Sequence, residues 1–125
     1  MNRPAPISAC ATIAAFAFAA VAVAISPAHA ADLDAAAQNY GTYCVNCHGA
    51  NGKGQGPEAS TLKTRPRDFT NCKRMAADSD DTIFEVIKNG GEAADLSPEM
   101  REWGSTLKDS EIHDLIAYVR SFCNK

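Results

Sequence analysis

The chain has 125 residues, of which 46% are apolar and 22% charged, with a formal net charge of −3. That length allows one domain, and the acidic balance excludes a nucleic-acid binder. The averages hide a division, because residues 1–30 hold a single charged residue, Arg3, and residues 31–125 hold 26 of the 27.

The first 30 residues fit a secretory signal peptide. Met1-Asn2-Arg3 is a short positive start, Ile7 to Ile25 is apolar and Ala-rich, and Ala28-His29-Ala30 is a small-x-small cleavage pattern. A retained anchor competes, since about 20 apolar residues cross a bilayer. The cleavage pattern and the polar start at Ala31-Asp32 favour removal and export to the periplasm. A lipoprotein reading through Cys10 is weak, because that Cys precedes the apolar stretch. The expected domain is then residues 31–125, 95 residues that are 38% apolar, with a net charge of −4. A chain so small and so polar has only a marginal core of its own.

Leu33 to Tyr43 reads as a first helix, with Asp32 or Asp34 at its start and three consecutive Ala. It runs into Cys44-Val45-Asn46-Cys47-His48. Residues 49–69, rich in Gly and Pro, read as a loop. Ser79 to Asn89 is the clearest helix: Ser79 is a good N-cap, Asp80 and Asp81 suit the positive end of the helix dipole, and Gly90 stops it. Residues 90–106 are again loop. Asp109 to Phe122 closes the chain as a helix with Ile112, Leu115, Ile116, Val119 and Phe122 on one face. The expected fold class is all-α, and loops this long in a small domain usually surround something.

Cys44-x-x-Cys47-His48 is the attachment pattern for a c-type haem. Two thiols three residues apart on one helical turn can each bond one vinyl group of the same macrocycle, and the adjacent His is held where it can ligate the iron. A thioredoxin-type redox pair needs a βαβ context that is missing. A zinc site needs two more ligands at compact spacing. One covalently bound haem c therefore supplies the expected missing interior.

These residues resemble the class I cytochrome c family in its small bacterial single-haem form, over about Ala36 to Phe122. Tyr40 lies four residues before the first haem Cys. Gly52-x-Gly54-x-Gly56-Pro57 looks like the loop after the His, and Pro66-Arg67-Asp68-Phe69 like the segment that follows it. Leu96-Ser97-Pro98-x-Met100-x-x-Trp103-Gly104 resembles the distal Met loop, and Leu107 to Val119 the last helix. The resemblance implies a cytochrome c fold in which Cys44 and Cys47 form the thioether links and His48 is the proximal ligand. The Pro57 carbonyl would accept the second ring N–H of His48, and Met100 would be the distal ligand. Arg101, where relatives of this branch usually have Pro, and Asp95, where Gly is common, depart from the pattern. Met75 and His113 are weaker candidates for the distal position: a Met is usually core filler, and His113 projects from the polar face of the last helix.

Two features lie outside the haem motif. Cys72 and Cys123 are either isolated thiols or a disulfide, which export favours. Lys63, Arg65, Arg67, Lys73 and Arg74 form a basic cluster in an acidic chain. It is a solvated loop, or a propionate partner through Arg65 or Arg67, or a surface that steers an acidic redox partner. No independent catalytic group is apparent, so the expected role is one-electron transfer by a His/Met-ligated haem and not enzymatic catalysis. The expected partners are larger redox proteins as donor and acceptor, with transient contact with membrane complexes, and the carrier itself a monomer. A haem-based gas sensor with a labile Met and a fixed subunit of a dehydrogenase or oxidase complex are the alternatives.

Overall fold

The computed structural model describes Met1 and residues 30–124. The expected signal segment therefore lies almost wholly outside the described residues. Among the described residues there are helices and no strand, and no helix is long and apolar enough to cross a membrane.

Helix α1 (Leu33–Tyr43) starts at Asp32, whose carboxylate accepts the Ala35 N–H at 3.0 Å. This N-cap satisfies one of the amides that the first turn leaves unpaired. Ala36 and Tyr40, four residues apart, share its buried face. Cys44 keeps a helical backbone, so α1 passes almost directly into the short helix α2 (Val45–His48). Helix α3 (Cys72–Met75) is a single turn capped by Asn71, whose side chain accepts the Arg74 N–H at 3.1 Å.

Helix α4 (Asp80–Asn89) has the expected cap, with Ser79 Oγ accepting the Thr82 N–H at 3.1 Å. It ends at Gly90, whose φ of +87° suits glycine. Helix α5 (Asp109–Ser121) buries Ile112, Leu115, Ile116 and Val119, and Phe122 extends the row just beyond its end. Glu111 closes its first turn by accepting the Lys108 N–H at 2.8 Å. The predicted helices at both ends and at 79–89 are thus present within a residue of their expected limits.

Helix α5 packs against both α1 and α4. The core joins Ala36 and Tyr40 of α1, the apolar row of α5, Ile87 of α4, Met75 of α3 and the loop residue Leu107. Asp114 is the one buried carboxylate of α5, and it accepts the Asp32 N–H at 3.2 Å, tying the start of α1 to the last helix. Arg120, from the other end of α5, donates to the Met75 and Asp78 carbonyls at 2.9 and 2.8 Å and pairs with Asp80. One guanidinium therefore fixes the turn between α3 and α4.

Candidate haem site

A cavity of about 610 Å³ opens between α1–α2, α4 and the loops, a volume within the usual range for a bound organic cofactor. Cys44, Cys47, His48 and Met100 all line it. Residues separated by more than 50 positions in the chain are thus brought to one chamber. Ile83, Val86 and Leu115 supply apolar wall, and Arg65, Arg67, Arg74 and Arg101 bring positive charge to it.

His48 is buried. Its Nδ1 lies 3.2 Å from the Arg67 carbonyl, which can only accept, so Nδ1 carries the proton and Nε2 keeps its lone pair. Burial, the larger influence, depresses the His48 pKa, so the ring is neutral, the form that binds metal. Phe69 stacks on the ring with centroids 4.6 Å apart and planes at 15°.

The expected Pro57 partner is therefore corrected: Arg67 provides the carbonyl, and Pro57 is exposed and does not line the cavity. The cause lies in Gly54. Its φ is +67°, and a Cβ there would collide with the Pro66 carbonyl. Only glycine lets residues 66–69 pass so closely over the loop, where Phe69 N–H donates to the Gly52 carbonyl at 2.7 Å. That crossing sets both the Arg67 carbonyl and the Phe69 ring against His48. The Arg67 guanidinium points to Asp78 instead, at 3.0 Å.

Tyr40 fixes the other end of the His48 turn. Its hydroxyl donates to the Gly49 carbonyl at 2.7 Å, and its ring packs against Tyr118 and Phe122 at 5.3 and 5.5 Å. The turn that carries the Cys-x-x-Cys-His run is thereby anchored to the α1–α5 core.

Both motif thiols are held protonated. Burial pushes Cys44 up to about 12, with the nearby Cys47 adding to it. Burial likewise raises Cys47, and so does the Glu58 carboxylate, whose Oε2 accepts from its Sγ at 3.7 Å. A redox-active Cys-x-x-Cys pair needs a thiol of lowered pKa, and this pair has the reverse. No group of three or more metal-binding side chains of the zinc type occurs among the described residues. The pocket's size, the paired thiols beside a neutral buried imidazole and the apolar walls together fit one covalently held haem.

Met100 is half-buried at the end of a tight loop. Gly91 N–H donates to the Met100 carbonyl and Leu96 N–H to the Gly91 carbonyl, both at 2.8 Å. Asp95 sits in this loop with φ +55°, which explains why glycine is common at that position in the resembling family. Aspartate is among the few other residues that tolerate this backbone. Arg101 extends over the Trp103 ring at 5.9 Å, and Trp103 packs on Tyr43 at 5.1 Å. Neither departure removes Met100 from the cavity. Of the weaker distal candidates, Met75 lies in the core at the cavity's edge. His113 is exposed, stacked on Phe84, and does not line the cavity.

Cys72 and Cys123 come together from 51 residues apart, but as free thiols. Cys72 Sγ donates towards the Cys123 and Thr70 carbonyls at 3.5 Å, and Cys123 Sγ towards the Phe69 carbonyl at 3.4 Å. With each sulfur directed at a backbone oxygen, the disulfide that export would favour is not formed in this structure.

Sequence reasoning missed Phe69, Glu58 and Glu99 as parts of the site. The aromatic and the two carboxylates carry no spacing signal, and the loops that aim them are irregular.

A family model described as cytochrome C oxidase, cbb3-type, subunit III matches residues 31–119. A solved structure named KustC0563 c-type cytochrome superposes with a TM-score of 0.57 at 28% sequence identity, covering 70% of this chain and 95% of that one. No curated protein matches.

Proposed function

The chain belongs to the cytochrome c family described as cytochrome C oxidase, cbb3-type, subunit III, and from that premise we propose that it is a periplasmic monohaem electron carrier and not an enzyme. It is a small c-type cytochrome with the cytochrome c fold, and membership implies covalently bound haem c. The observation that carries the functional reading is the meeting of Cys44, Cys47, His48 and Met100 in one cavity.

When bound, haem c supplies a one-electron ferric/ferrous couple, and a His/Met ligand pair raises its potential. In our reading Cys44 and Cys47 would hold the macrocycle, and His48 would hold the iron through Nε2. The Arg67 carbonyl keeps the His48 proton on Nδ1 and raises the basicity of the ring. Met100 would be the second side chain to hold the iron. Arg65 or Arg67 would pair with a haem propionate, and the Arg67 guanidinium is already bound to Asp78. Residues 1–30 are the cleaved leader that exports the domain.

The arginines around the cavity complement an acidic partner surface. Electron-transfer on-rates should then fall with added salt, and rates indifferent to ionic strength would remove the steering role. The decisive experiment is an optical spectrum with a potential titration of the mature protein. A single low-spin c-type haem titrating as one electron, with a sulfur-to-iron charge-transfer band in the ferric state, is expected. A high-spin spectrum or more than one haem would overturn the reading.

The description of the matching family as an oxidase subunit favours a second reading, in which the same chemistry is delivered by a fixed subunit of a larger complex. Size in gentle extracts separates the two: a free carrier runs as a monomer, a subunit with its partners.

A further inference from the structure

Glu99 precedes Met100, and its side chain reaches 36 residues back along the chain. Oε1 accepts the Lys63 N–H at 2.9 Å and Oε2 accepts the Thr64 N–H at 3.0 Å. Ser97 Oγ donates to Oε2 at 3.2 Å and itself accepts the Glu99 N–H at 3.3 Å. Leu62, Thr64 and Arg65 line the cavity from one loop, and Ser97, Glu99 and Met100 from another. No other hydrogen bond among the described residues joins residues 62–66 to residues 96–100.

We propose that Glu99 is the positioning residue for Met100: its carboxylate straps the loop carrying Met100 to the Lys63–Thr64 backbone and so keeps the thioether on the haem iron. The inference rests on the Met100 ligand reading above. The physical argument concerns which loop motions remain open. The Met100 loop is tied to α4 through Gly91 N–H to the Met100 carbonyl, and through Trp103 N–H to the Ile87 carbonyl at 2.9 Å. Those bonds hold its α4 side. On the side facing residues 62–66 the Glu99 carboxylate makes the only hydrogen bonds among the described residues. Hydrogen bonds to an ionised carboxylate are stronger than neutral ones, and here two successive amides share one carboxylate. Arg101, where the resembling family usually has proline, leaves that position without a fixed φ, and the strap supplies a restraint in its place.

A Met that leaves the iron exposes a site that carbon monoxide fills, and apparent binding scales with the fraction of molecules in that open state. The test uses ferrous and ferric holoprotein of the wild type, Glu99→Ala, Glu99→Gln, Met100→Ala and Glu102→Ala, the last an exposed carboxylate of the same loop. Losing the strap should raise the carbon monoxide association rate by about tenfold or more, the factor that one lost charged hydrogen bond implies, and weaken the ferric sulfur-to-iron band. Glu99→Gln, with one acceptor oxygen for two amides, should fall between, and Glu102→Ala should match the wild type. If Glu99→Ala behaves as the wild type does in both readouts, the strap is refuted. If Met100→Ala also leaves both unchanged, the ligand reading itself has failed and the proposal falls with it. Should Glu99→Ala fail to fold, Ser97→Ala removes one bond to the carboxylate. A smaller rise in the same direction upholds the strap, and no change overturns it.

Discussion

Gly54 shows how much of this site depends on a residue with no side chain. The His48 ring is oriented by a carbonyl and an aromatic from residues 66–69, and those can reach it only because nothing projects from Gly54. Gly54→Ala should therefore do two things at once. The positive φ and the collision with the Pro66 carbonyl should cost about 2 kcal/mol or more in stability, read as a lower urea midpoint of the holoprotein. The displaced Arg67 carbonyl should also leave His48 a weaker donor, which shifts the haem midpoint potential. A variant with an unchanged potential would show that the carbonyl does not tune the ring. The partner of His48 was not legible in the sequence for a physical reason: a backbone carbonyl belongs to every residue, so no residue type marks the one that will be used. Pro57 was a reasonable expectation from the family pattern, and only the crossing at Gly54 displaces it. The ligating residues were legible, because Cys-x-x-Cys-His must be contiguous to place two sulfurs and a nitrogen on one turn.

At the scale of elements, the three longer helices carry their own signals and the connecting segments do not. Ser79 caps α4 as its sequence requires, and the spacing 112, 115, 116, 119 puts four apolar side chains on the face of α5 that meets α1 and α4. Helix α3 is four residues long, too short for periodicity to register, and depends on the Asn71 cap and on Arg120 reaching over from α5. The α5 row is where packing energy concentrates. Ile112 is wholly buried at the junction of the helices, so Ile112→Ala should cost about 2–5 kcal/mol through lost transfer energy and the cavity left behind. Asp32→Ala, which removes an exposed cap, should cost only about 1 kcal/mol. Chemical denaturation of the two holoproteins checks the ordering. Equal losses would mean that the α1 cap matters to the packing as much as the α5 row does.

For the molecule as a whole the controlling quantity is the cavity. Its lining draws residues from α1, α2, α4, α5 and the loops between them, so the group it holds touches most of the fold. Only 38% of residues 31–125 are apolar, so the chain has little core of its own in reserve. The same segment that looks too polar for its length is adequate once a large apolar group fills its centre and is bonded at Cys44 and Cys47, because covalent attachment also removes the entropy of rebinding. The consequence is a strong coupling between cofactor and fold. Cys44→Ala/Cys47→Ala protein, secreted without haem, should show no cooperative thermal transition and weak protection of its amides, including those of α5. The wild-type holoprotein should melt in a single step. A sharp melting transition in the haem-free variant would mean that the α1–α5 packing is self-sufficient and that the cavity collapses or hydrates at little cost.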